Sequence, residues 1–297
     1  MRNAYLYLHL SVLLAGFTGI FGKLIQLNEG LLVWYRIALS TMMLGAILIF
    51  NQSRLKYPIR EVLSLIVPGI VLTIHWLFFF GSIKHSNVAV GTICFGLTGF
   101  FTAILQPLIR KRKINMNEIL LSIITLAGIA MIFHFDTQFR VGIILGVTSS
   151  VFSALYTILN EGLVKKYDAK LLNFYQLGAG TIFLGLIMPI YLKFNPTDYL
   201  FPNSLDSLYI FILAFFCTVI LYVLFNASLK ILSAFTVNLS FNLEPIYSIA
   251  LAFIIFKEHQ QLNNYFFMGI SLVMLSVILQ SLLAFKKYKT ATNLKVQ

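Results

Sequence analysis

Apolar runs of roughly 20 residues, separated by short polar connectors, fill this sequence from end to end, and an α-helix needs about 20 apolar residues to cross a hydrocarbon core of roughly 30 Å. Ten runs are read. The first five are Ala4 to Ile25, Leu31 to Phe50, Val62 to Ile83, Val88 to Ile109 and Ile119 to Phe135. The second five are Val141 to Leu163, Leu171 to Leu192, Leu208 to Leu229, Ala234 to Phe256 and Tyr265 to Phe285. Inside lipid each run has to satisfy its own backbone hydrogen bonds, so the runs are predicted as helices and not as open strands. Little sequence is left for a soluble domain. The first run ends near Lys23 and Gln26 with no small-residue cleavage site, so it is expected to be a retained helix and not a signal peptide.

Five runs precede Arg140 and five follow it. A repeat with an odd number of crossings enters the membrane inverted relative to its copy, a frequent construction of secondary transporters whose substrate site lies near the midplane between the halves. The expected architecture is an all-α polytopic membrane protein of ten transmembrane helices in two inverted five-helix repeats. Residues 1–138 would form the first repeat, 139–286 the second and 287–297 a basic cytoplasmic tail.

Composition supports the same class: 59% of residues are hydrophobic and 11% charged, against about 25% charged in soluble domains. The formal charge of +12 raises nucleic acid as a partner, and its distribution argues against one. With the N-terminus on one side, sixteen of the Lys and Arg residues fall on that side, in clusters such as Arg110 to Lys113 and Lys286 to Lys289. Only four (Lys84, Arg140, Lys193, Lys257) fall on the other. Basic residues are retained in cytoplasmic loops, so the bias predicts a bacterial-type cytoplasmic (inner) membrane protein with both termini cytoplasmic. Anionic lipid headgroups would be the partner of this charge.

The chemistry of soluble enzymes finds no foothold. Cys94 and Cys217 fall within predicted helices as small hydrophobes, and two cysteines build neither a disulfide framework nor a metal site. His9, His75, His85, His134 and His259 are scattered, and no His-Glu-x-x-His, Gly-x-Ser-x-Gly or phosphate-loop pattern occurs. No catalytic residue, metal or cofactor is assigned.

Motifs in both halves carry a family resemblance. They are Gly16-Phe17-Thr18-Gly19 with Lys23, Trp34-Tyr35-Arg36-Ile37-Ala38-Leu39, and Ser153-Ala154-Leu155-Tyr156-Thr157-Ile158-Leu159. The second half adds Ala227 to Ala234, Leu243-Glu244-Pro245, Lys257-Glu258-His259 and Gly269 with its apolar tail. In order and spacing the chain resembles the EamA-type permeases of the drug/metabolite transporter superfamily along about its whole length. That resemblance implies two five-helix repeats and export of amino acids or similar metabolites. One departure stands out: matching Glu258 to Lys111 or Arg112 sets Thr98 or Gly99 opposite Pro245, so the first half has no counterpart of Glu244.

Glu244 is the one carboxylate placed near the middle of a predicted helix, where an ionisable group is costly unless paired or hydrated and is therefore a functional candidate, here also a candidate proton carrier. Pro245 cannot donate to the carbonyl of Phe241, which is expected to stay free. Ser240, Glu244 and Ser248 fall on one stripe, Asn238 and Asn242 on another. Interhelical hydrogen bonding explains both stripes equally well. His75 and Trp76, midway along the third run, offer a titratable ring and a stacking surface, or ordinary packing. The sixth run carries a polar stripe of Ser149, Ser153, Tyr156 and Asn160 that must face protein or water, and Thr98, Thr102 and Gln106 repeat the pattern on the fourth. Lys23 and Arg36 suit snorkelling to the headgroups, with attraction of a substrate carboxylate as the functional alternative for Arg36. Gly16, Gly19 and Gly22, like Gly142 and Gly146, suit close helix packing.

The expected substrate-binding set is therefore Glu244, His75, Trp76, Ser153, Tyr156, Asn160, Arg36 and Asn242. The expected function is a secondary transporter moving a small polar, amino-acid-like metabolite outward by alternating access, with protons as a candidate coupling partner. Two alternatives remain: a flippase for a lipid-linked substrate, and an intramembrane prenyltransferase-type enzyme. The latter would need Asp-rich pairs, whereas Asp136, Asp168, Asp198 and Asp206 are all expected in connectors.

Overall fold

A computed structural model describes residues 2–52, 58–111, 113–133 and 139–256, with parts of 265–283. Its described residues are helical throughout apart from the connectors. Eight helices among them are long and apolar enough to cross a membrane, and Met116–Met131 forms a shorter apolar one. Numbered by the apolar runs of the sequence, the first three segments are single helices, α1 (Arg2–Leu24), α2 (Glu29–Phe50) and α3 (Ile59–Lys84). The fourth is α4 (Val88–Phe95) with α5 (Thr98–Arg110), and the fifth is α6 (Met116–Phe133). Then come α7 (Arg140–Leu163) and α8 (Ala169–Phe194). The eighth span is α9 (Ser204–Ala214), a π-helical turn (Phe215–Ile220) and α10 (Leu221–Leu229). The ninth is α11 (Ala234–Ser240), a 3-10 turn (Phe241–Leu243) and α12 (Glu244–Phe256). The motif Lys257-Glu258-His259 lies outside the described residues, as do His134 and Asp136.

Short polar residues start these helices for a local reason: their side chains accept the orphan N–H groups of the first turn. Asn28 caps α2 through the N–H of Leu31 at 2.9 Å, and Asn87 caps α4 through Val90 at 2.8 Å. Asp168, Asn203 and Ser233 cap α8, α9 and α11 in the same way.

Three expected continuous helices are interrupted. The fourth breaks at Gly96, whose N–H bonds to Ile93 O at 3.0 Å while Leu97 N–H bonds to Cys94 O at 3.0 Å, a tightened i to i+3 turn. The eighth widens into the π-turn, and the ninth breaks at Phe241–Leu243. Glu244 therefore opens α12 and does not sit within a continuous helix. Pro245 falls in the first turn, where its missing N–H leaves no bond unmade. The expected free carbonyl of Phe241 is instead taken by the N–H of Glu244.

Helices of the first half pack mainly on helices of the second. α1 lies against α10 and α12, α2 against α8 and α9, α3 against α7 and α8, and α4 against α7 and α12. Glycines permit the close approaches: Gly16 faces Tyr247 of α12, while Gly142 and Gly146 face Ser82, Ser86 and Cys94. Both halves therefore line whatever space remains at the centre.

Candidate functional site

Where the two broken spans meet, a cavity of about 30 Å³ is lined by both halves. The first contributes Ala15, Thr18, Arg36, His75, Trp76, Phe79 and Phe95; the second contributes Leu221, Tyr222, Phe241 and Glu244. A space of that size is large enough to hold water. Four of the expected residues come together here: Arg36, His75, Trp76 and Glu244.

Arg36 is 1% exposed, which overturns snorkelling as its explanation. Its Nε donates to Thr218 Oγ1 at 2.6 Å and its Nη2 to the carbonyl of Cys217 at 2.7 Å. The guanidinium carbon lies 4.4 Å from the centroid of Trp76, a cation–π contact in a desolvated setting. Nη1 is buried with no hydrogen-bond partner among the described residues. Ser40 ties the same stretch of α2 to α9, donating to the carbonyls of Arg36 and Ala214.

His75 is held from one side. Its Nδ1 lies 3.0 Å from the carbonyl of Ser149 and 2.8 Å from the Ser149 hydroxyl, which also lies 3.1 Å from the carbonyl of His75. The Ser149 carbonyl can only accept, so Nδ1 carries a hydrogen there, and in the neutral ring Nε2 is then the acceptor. The ring sits between Phe79 and Phe95, with centroids 5.9 and 5.3 Å away. Trp76 meets Tyr222 edge to face at 5.3 Å. Aromatic faces thus wall a space into which one cationic, one carboxyl and one imidazole group are gathered.

The other expected residues are placed elsewhere. Tyr156 stands behind the cavity wall, with its ring stacked on Phe225 and edge-on to Tyr222. From it runs a buried amide chain joining α7, α8 and α10. Tyr156 Oη donates to Gln176, Gln176 Nε2 to Asn160 at 2.8 Å, Asn160 Nδ2 to Asn226 at 2.6 Å and Asn226 Nδ2 to Asn173 at 2.6 Å. Ser153 is buried on α7 and does not line the cavity. Asn242 is fully buried within the second break and faces the first; its Nδ2 reaches Thr125 at 3.4 Å, and a Cβ on Gly96 would lie 3.2 Å from its Oδ1. Ser240 bonds back to Thr236 and Ser248 to Gly16, so of that stripe only Glu244 faces the cavity.

Several participants escape a reading of the sequence. Phe95 and Phe241 each sit at the end of a broken segment, and Gly96 in mid-run is the signal that marks the first of them. Thr218 lies within, and Tyr222 just after, a π-turn that no local pattern announces. Two buried carboxylates also lie off the centre. Glu161 of α7 accepts from Gln106 at 3.0 Å and from the N–H of Ala234 at 3.4 Å. Asp206, expected in a connector, is buried in the first turn of α9 and accepts the N–H of Gln26 at 3.1 Å. The remainder of the expected polar stripe on α5 is likewise packing: Thr102 accepts from Asn238 at 2.7 Å.

The model of the EamA-like transporter family matches this chain twice, over residues 2–134 and 140–282. The chain is 25% identical over 259 residues to the uncharacterized transporter YxxF of Bacillus subtilis (strain 168), covering 84% of this chain and 80% of that protein. An uncharacterized transporter of Clostridium kluyveri is 21% identical over 99% of this chain and 97% of its own length. One of Archaeoglobus fulgidus is 26% identical over 86% and 90%. A solved crystal structure superposes with a TM-score of 0.72 at 15% identity, covering 96% of this chain and 99% of the other, which shows a shared fold.

Proposed function

The chain belongs to the EamA-like transporter family of the drug/metabolite transporter superfamily and is a multi-pass membrane transporter, not an enzyme; from that premise we propose that it exports a small, amino-acid-like metabolite by alternating access at the Arg36–Glu244 cavity. The observation that carries this reading is the gathering of a guanidinium and a carboxyl group in one buried, aromatic-walled cavity fed by both halves. A zwitterion offers the complementary pair, its carboxylate to Arg36 and its ammonium to Glu244, with Trp76 and the phenylalanine rings around its apolar part. Helices broken at corresponding places in the two halves, Gly96 in the fourth span and Phe241–Leu243 in the ninth, support a site there, since paired interrupted helices mark substrate sites in repeat-built transporters.

In this reading residues 1–138 and 139–286 act as inverted repeats of a ten-helix protein, and residues 287–297 as its cytoplasmic tail. The two separate family matches, and the packing of each half on the other, support that division. The excess of Lys and Arg on the N-terminal side supports an inner-membrane orientation with both termini cytoplasmic. Glu244 is the proposed proton carrier, because it alone among the cavity-lining residues is a carboxylate. Outward direction follows the family resemblance.

The test is a metabolite comparison of medium and cytoplasm in cells overproducing the protein, followed by uptake of the enriched compounds into proteoliposomes. Enrichment of neutral amino acids or close analogues in the medium is expected, and its loss with Arg36→Gln. Overproduction that leaves every small zwitterion unchanged inside and out, with only a lipid-linked species redistributed, would replace this reading with the flippase.

A further inference from the structure

We propose that the π-helical turn Phe215–Ile220 builds a carboxylate receptor out of Arg36, with Thr218 as the positioning residue that sets its specificity. The inference rests on the reading of Arg36 as the partner of a substrate carboxylate and goes beyond it by naming the turn and the residue that position it.

The Thr218 hydroxyl is used in both directions. It donates to the carbonyl of Leu213, five residues back, at 2.9 Å, and accepts from Arg36 Nε at 2.6 Å. Leu221 N–H goes to the carbonyls of Phe216 and Thr218, passing over Cys217, whose carbonyl accepts Arg36 Nη2. A regular α-helix does not present a side-chain acceptor and an adjacent main-chain acceptor to one guanidinium in this way; the widened turn does. The single Nε hydrogen and one of the two on Nη2 are thereby given to the protein, while Trp76 covers one face at 4.4 Å.

Nη1 is left buried with no hydrogen-bond partner among the described residues. A buried charged donor without an acceptor is costly and calls for a ligand that supplies one. With the Nε–Nη2 edge turned to the protein, that ligand meets Nη1 beside the second hydrogen of Nη2. This fork of two N–H groups matches the two oxygens of one carboxylate. Valine at 218 keeps the shape and removes both bonds of the hydroxyl, whereas serine keeps both.

Trp34 and Trp76 are the two tryptophans of the chain, so in a Trp34→Phe background Trp76 reports on the guanidinium that covers it. The purified variant in detergent is titrated with acetate, L-leucine and leucinamide at constant ionic strength, reading Trp76 emission. Acetate and L-leucine are expected to shift the emission, and leucinamide, which has no carboxylate, is not. Thr218→Val should raise the half-saturating carboxylate concentration by roughly tenfold and alter the unliganded spectrum, while Thr218→Ser stays near the parent. A Thr218→Val protein with the parental spectrum and titration overturns the positioning role. A parent that answers leucinamide as well as L-leucine, or answers no carboxylate, overturns the receptor. Carboxylate binding by a parent that moves no amino acid across proteoliposomes overturns the transport reading alone.

Discussion

Phe95 and Phe241 meet edge to face, ring centroids 6.2 Å apart and planes at 87°, and each stands where its own span is interrupted. Both rings line the cavity that also holds Arg36 and Glu244. The contact therefore joins the break of the first half to that of the second across that cavity.

Glu244 is the sharpest point of test. As a proton carrier it should tolerate Glu244→Gln in substrate exchange and lose pH-gradient-driven accumulation in proteoliposomes. As a direct ammonium partner it should lose both together. Parental gradient-driven transport by a well-folded Gln variant would falsify both roles and leave Glu244 as a packing residue.

Asn160 is expected to matter for folding and not for substrate affinity. Asn160→Leu removes the acceptor of Gln176 and the donor to Asn226, and each buried group left unsatisfied costs about 1–3 kcal/mol. The melting temperature in detergent should fall while the KM of the surviving folded protein stays parental. A raised KM with unchanged melting would place Asn160 on the pathway after all.

The α3–α8 seam is expected to reject any added volume. A Cβ on Gly69 would run into the main chain of Gln176, whereas one on Gly178 meets only Thr41 Cγ2 at an ordinary 3.5 Å. Gly69→Ala should destabilise by about 1–3 kcal/mol, and Gly178→Ala by little. Thermal melts of the two variants side by side decide it; equal midpoints would mean the seam has slack.

Reporter fusions test the orientation. Fusions at Lys113 and Gln297 should report cytoplasm, and a fusion at Thr197 should report the exterior, because Lys and Arg crowd the connectors on one side. An exterior C-terminus would sink the ten-helix arrangement.

The long apolar runs determined by themselves that this chain is helical and membrane-spanning, because hydrocarbon leaves the backbone no alternative and sets the length of each span. Helix starts at Asn28, Asn87, Asp168, Asn203 and Ser233 are equally local, a matter of one side chain accepting a nearby N–H. Depth and partnership were not local. Arg36 suits a headgroup when read along its own helix; only the acceptors 181 and 182 residues away, Cys217 and Thr218, make its burial sustainable. The stripe of Ser149, Ser153, Tyr156 and Asn160 is legible in the sequence as one polar face, and the structure buries it. Whether that face met water or other amides depended on α3, α8 and α10 arriving with His75, Gln176 and Asn226. Interruption of the helices at Gly96, Phe215–Ile220 and Phe241–Leu243 was decided by tertiary structure for the same reason: a broken turn frees polar groups that lipid would penalise, and only neighbouring helices can satisfy them.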